Sequence, residues 1–85
     1  MLEWENIEKT ECVAIKDNIR YNIIYFKKYD CWAGAMTTLV SFGWLTKHSK
    51  IRDVDKGYLL PEHKFATKEE AQEVCERHYK LLILQ

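Results

Sequence analysis

Residues 65–80 read FATKEEAQEVCERHYK. Thr67 stands where a helix N-cap belongs, and Glu70, three residues on, completes a capping box with it. Glu69 and Glu70 put negative charge into the first turn, where the helix dipole favours it. Ala71, Val74, Cys75, His78 and Leu82 recur at the spacing of one helical face. Glu69, Gln72, Glu73, Glu76 and Lys80 make the wet face, with Glu73–Arg77 and Glu76–Lys80 as i, i+4 pairs in the favourable orientation. The pattern predicts a helix over about 68–82. A helix with one apolar face covers something, so the rest of the chain has to supply a surface.

That surface reads as a sheet. In ECVAIKDNIRYNIIYFKKYDCWAGAM, residues 11–36, three extended runs are separated by Asp17-Asn18 and by KKYD. Asp and Asn tolerate left-handed backbone and bond their own main chain, which makes them turn residues. Ile19, Tyr21, Ile23 and Tyr25 alternate on one face of the middle run. Ala33, Gly34 and Ala35 leave room for a close approach. LEWENI, residues 2–7, is a short edge strand or a helical turn. TTLVSFGWLTKHSKIRDVDKG, residues 37–57, reads as an extended, hairpin-like excursion, and YLLPEHKF, residues 58–65, as a last strand bent or placed at an edge by Pro61. The expected fold is α+β: one domain over residues 1–85, with an antiparallel sheet of three to five strands and the C-terminal helix packed on one face. Val74, Cys75 and Leu82 are expected to meet Val13, Ile15, Tyr21 and Ile23.

Composition narrows the function. Thirteen Lys and Arg balance thirteen Asp and Glu, so the net charge is zero. Nucleic-acid binders draw affinity from an excess of basic groups, and this chain has none. No apolar run reaches the roughly 18 residues of a membrane span, and residues 1–20 carry EWENIEKTE in place of a leader's apolar core. No membrane partner is expected. Three widely spaced cysteines read as reduced thiols in a cytoplasm.

Few residues suggest chemistry. Cys75 and His78 lie one turn apart and could share a metal or form a thiolate–imidazole pair, but no second ligand pair or third catalytic group stands at a matching spacing. They read as core residues, Cys75 as a small apolar group and His78 at the border with a polar tip. DVDKG, residues 53–57, fails as a calcium loop because its Gly is one position early and Lys64 stands where the bidentate Glu belongs. No catalytic residue, metal or cofactor is expected, and the protein reads as a non-enzyme. SFGWLTKHSKIR, residues 41–52, sets Phe42 and Trp44 beside Lys47, Lys50 and Arg52. Aromatics and Arg dominate interface energies, so these five residues are the candidate partner-binding set. The same mixture can stack bases and hold phosphates, which keeps a nucleic-acid-binding module as the alternative; metal- or thiol-dependent activity at Cys75 and His78 comes after it. Leu81, Leu82, Ile83 and Leu84 are apolar all round, so the tail is expected to pack internally or in a homodimer.

The run from Phe65 to Tyr79, with RYNIIYF and WAGAM before it, resembles small phage and prophage accessory proteins, in which a few antiparallel strands precede one helix opening with a Phe-x-[Ser/Thr]-x-Glu-Glu-Ala step. Some proteins of that kind are inhibitors that bind host or defence proteins, anti-CRISPR proteins among them. The resemblance implies the strand-then-helix fold and a small cytosolic binding protein that works by occupying its partner's surface. It carries no functional residue over.

Overall fold

Asp17 and Asn18 both take left-handed backbone, with φ of 53° and 65°. Positive φ at both central residues is the geometry of the two-residue hairpin turn that matches strand twist. The turn joins β2 (Glu11–Lys16) to β3 (Ile19–Phe26). Asp30, at φ 48°, closes the next turn into β4 (Cys31–Thr37). The computed structural model describes residues 2–49 and 60–84, and the backbone alone of 51–52. Of the two readings of residues 2–7, edge strand or helical turn, the strand is found, as β1 (Glu5–Glu8). On the other side come β5 (Phe42–Leu45) and the two-residue β6 (Ile51–Arg52). Among the described residues these strands form one antiparallel sheet in sequence order, β1-β2-β3-β4-β5-β6. The helix α1 (Lys68–Ile83) follows, so the chain has the expected α+β arrangement.

The extended, hairpin-like reading of residues 37–57 holds for residues 42–45 and 51–52, but these do not leave the sheet as an excursion. They carry β5 and β6, which extend the sheet beyond β4. The last strand expected over 58–65 is also absent from the described part: Pro61–His63 form a 3-10 turn, as a fixed φ and a missing donor at Pro61 allow. Only Phe65 pairs, exchanging two 2.8 Å backbone hydrogen bonds with Trp32. That bridge ties the entry to α1 onto β4. The calcium-loop comparison at residues 53–57 lies outside the described residues.

α1 begins as its sequence dictates, with the Thr67 hydroxyl accepting from the Glu70 amide at 3.1 Å. Its buried face is Ala71, Val74, Cys75, His78 and Tyr79. Leu82, expected there, is exposed, and Tyr79 takes its place. The reason is where the sheet ends. The Tyr79 hydroxyl donates to Asp17 in the β2–β3 turn, so Leu82 lies most of a turn beyond the last strand residue.

The phase of β2 also differs from expectation. Cys12 pairs with Ile23 and Ala14 with Tyr21, so Cys12 and Ala14 share the helix-covered face. Val13 and Ile15 point the other way, and Ile15 is 67% exposed. A helix lies close to a sheet where the residues beneath it are small. Cys12, Ala14 and Gly34 supply that floor; a Cβ on Gly34 would come within 3.4 Å of Cys75 Sγ. Leu2, Met36, Leu45 and Phe65 close the rest of the core. The N-terminus is held by Glu76, which accepts from the Leu2 amide at 3.1 Å.

Candidate partner-binding surface

Among the described residues, one face of the sheet carries no helix. Alternation along the strands places on it Val13 and Ile15, then Arg20, Asn22 and Phe26, then Cys31, Ala33 and Ala35, and finally Phe42 and Trp44. Cys31, Ala33 and Ala35 are nonetheless buried. Phe26, Tyr29 and Trp44 pack against Cys31 and Ala33, so large side chains roof small ones. Ala35 is the cross-strand partner of Trp44.

The roof is an aromatic row. The Trp44 ring lies 5.7 Å from Phe26 and 5.9 Å from Phe42, both edge-on. That is the arrangement ring quadrupoles favour. Phe42 ends the row at 53% exposure. Beside the row runs a polar ladder, in which Arg20 Nε donates to Asn22 Oδ1 at 3.0 Å and Asn22 Nδ2 donates to Glu11 at 2.9 Å. The face thus has an aromatic half on β3–β5 and a polar half on β2–β3.

Of the five candidate residues, the structure brings Phe42 and Trp44 into ring contact. Arg52 is the register partner of Trp44 on β6. Lys47 is exposed in the turn after β5, where its amide donates to Glu62 at 2.9 Å. Lys50 lies outside the described residues. Trp44 serves two roles, since its inner side covers the Cys31–Ala33 pair. Phe42 is the more open aromatic of the two.

Cys75 and His78 sit in the seam between α1 and the sheet. Cys75 is fully buried, and burial pushes its thiol well above the ordinary cysteine range. A thiol held protonated is neither a nucleophile nor a ready metal ligand. Burial also lowers the His78 pKa, so the ring is neutral near pH 7. Burial pushes the Tyr21 phenol up, and its hydroxyl shares a 2.7 Å hydrogen bond with His78 Nδ1. Among the described residues no three His, Cys, Asp or Glu come together as a metal site would need. A polar cleft of about 470 Å³, lined by Asn6, Glu8, Lys9 and Lys68, opens between the β1–β2 turn and the start of α1, and Phe42, Trp44 and Lys47 are not among its lining residues.

The sequence reading missed the tip of the β4–β5 hairpin. Leu39 and Val40 are 94% and 93% exposed there. The turn is well tied: Thr38 Oγ1 accepts from the Val40 and Ser41 amides and meets Ser41 Oγ at 2.8 Å, while the Thr38 amide donates to Ser41 O at 2.9 Å. The signal was present in Thr38-Leu39-Val40-Ser41: two large aliphatics between hydroxyl residues, where a tight turn ordinarily carries Gly, Asn or Asp. Of the two expectations for the apolar tail, internal packing and a homodimer, the first is not met. Leu81, Leu82, Ile83 and Leu84 are exposed, so the tail does not pack into its own core.

Comparison of the chain with protein-family models, with curated sequences and with solved structures found no match. No helix among the described residues is long and apolar enough to cross a membrane.

Proposed function

We propose that this is a small binding protein that sets the aromatic half of its helix-free sheet face against a partner protein and blocks that partner's surface. The observation that carries the reading is Phe42, 53% exposed yet fixed edge-on against Trp44. An aromatic side chain has only two rotatable torsions and so loses little freedom on binding, which is what makes aromatic anchors effective. Trp44 and Phe26 support it from behind, and Lys47 adds a solvated cation nearby. The resemblance of residues 65–79 to small phage accessory proteins supplies the class of partner: a host or defence protein, met in the cytoplasm. The three cysteines are free and buried, which suits a reducing compartment. The protein acts by occupancy, not by turnover.

The test is capture of a partner from nuclease-treated bacterial lysate by the wild-type chain and by Phe42→Asp. The proposal expects a protein captured by the first and lost by the second. Capture that needs intact nucleic acid, weakens steeply with salt and disappears in a Lys47→Glu, Lys50→Glu double variant would replace this reading with the nucleic-acid one.

A further inference from the structure

The exposed large apolar side chains of the described residues are not spread evenly. Among the described residues ten are exposed: Ile7, Ile15, Leu39, Val40, Phe42, Leu60 and Leu81 to Leu84. Eight of them, all but Ile7 and Leu60, lie at one end. The topology makes this so. Arg20 pairs with Thr37, so the β2–β3 and β4–β5 turns stand side by side, roughly 10 Å apart at two strand spacings. Tyr79 reaches Asp17 in the first of these turns, and Lys16 Nζ lies 5.7 Å from the Tyr79 ring. The C-terminal end of α1 therefore arrives at the same edge, and Leu84 projects about 7 Å further along the helix axis. Ile15 is two residues before the first turn, and Phe42 directly follows the second. The opposite end carries Lys9-Thr10, the turn Lys27–Asp30 and the polar start of α1 at Thr67–Glu70. One pole is apolar and the other is charged.

We infer that the apolar pole, built from the Leu39–Val40 tip and the Leu81–Leu84 end of α1, is the contact through which two copies of this chain form a symmetric dimer. Size supports a second copy. A side chain of this class carries roughly 100 Å² of apolar surface, so the pole offers roughly 500 Å² per copy and roughly 1,000 Å² in a pair. That reaches the size at which specific interfaces begin. A two-fold axis lets the same patch serve both partners. Charge points the same way. The chain is neutral overall, which removes the long-range repulsion between copies and gives little pull toward an anionic lipid surface. Lys16, Asp17, Arg20 and Lys80 lie around the pole as a polar rim. The aromatic row lies on the broad side of the sheet, so the dimer carries two such rows; this last consequence rests on the function proposed above.

Sedimentation of the purified full chain over micromolar to millimolar concentrations tests the dimer without any partner present, so its outcome is independent of partner capture. The expected result is a monomer–dimer equilibrium whose dissociation constant rises by about 100-fold in a Leu39→Asp, Val40→Asp double variant. Those two side chains are almost fully exposed, so the variant keeps the wild-type circular dichroism. Leu84→Asp shifts the equilibrium in the same direction. A wild-type chain that stays monomeric throughout overturns the inference, as does a dimer indifferent to both variants. A monomeric wild type that cosediments with phosphatidylcholine–phosphatidylglycerol vesicles would assign the pole to lipid and also overturn it.

Discussion

Tyr21 and His78 stand 57 positions apart in the chain and meet at 2.7 Å under α1. Each of them is a buried polar group satisfied by the other. Tyr21→Phe removes one half and leaves the His78 ring nitrogen without this partner, at an expected cost of about 1–3 kcal/mol by urea denaturation. The imidazole also sets a pH dependence. Its pKa is lowered in the folded state by burial, so the unfolded chain takes the proton first. Its contribution is complete above the unfolded value of about 6.5 and is lost as pH falls from there through the folded value. An NMR titration should therefore place His78 below about 6.5, and a value at or above that would contradict the buried neutral ring. Helical spacing was enough to put Cys75 and His78 on one face in the sequence. It could not name Tyr21 as the partner, because that contact depends on where the helix crosses the sheet.

At the scale of elements, α1 was the most legible, since its cap, dipole charges and periodicity are all local. Thr67→Ala is expected to cost about 1 kcal/mol in thermal or chemical unfolding, through the lost bond to the Glu70 amide. The three central strands were legible from turn residues and alternation. The phase of β2 was not: both Cys12/Ala14 and Val13/Ile15 are apolar pairs, and only the register to β3 and the closeness of the helix choose between them. β5 was legible as extended chain, but not as part of the sheet, because its pairing with β4 depends on the turn at 38–41. Its pairing with β4 turns Trp44 into a roof over Ala33. Trp44→Ala is accordingly expected to cost about 2 kcal/mol of stability, less than a fully buried Trp. Phe42→Ala should change stability by about 0.5 kcal/mol or less. Equal costs for the two would contradict the division of labour between them.

The molecule is a sheet with one face covered by a helix and half of the other roofed by its own aromatics, and among the described residues most of the exposed large apolar side chains gather at one end. The apolar tail was legible in the sequence, but neither the roof nor the meeting of the tail with the Leu39–Val40 tip could be read from it. Both arise because the strand order brings residues far apart in the chain onto one face or one edge. Phe42, Trp44, Lys47, Lys50 and Arg52 were legible as a candidate group because they are close in sequence; that Phe42 is more open than Trp44 required the fold. The measurement that tests the central claim most directly is binding of the partner captured from nuclease-treated lysate, titrated calorimetrically against the wild-type chain and against Phe42→Ala. The account predicts a folded variant whose affinity is weaker by about 2 kcal/mol, roughly 30-fold. An unchanged affinity with the fold intact would contradict it and show that the partner binds elsewhere.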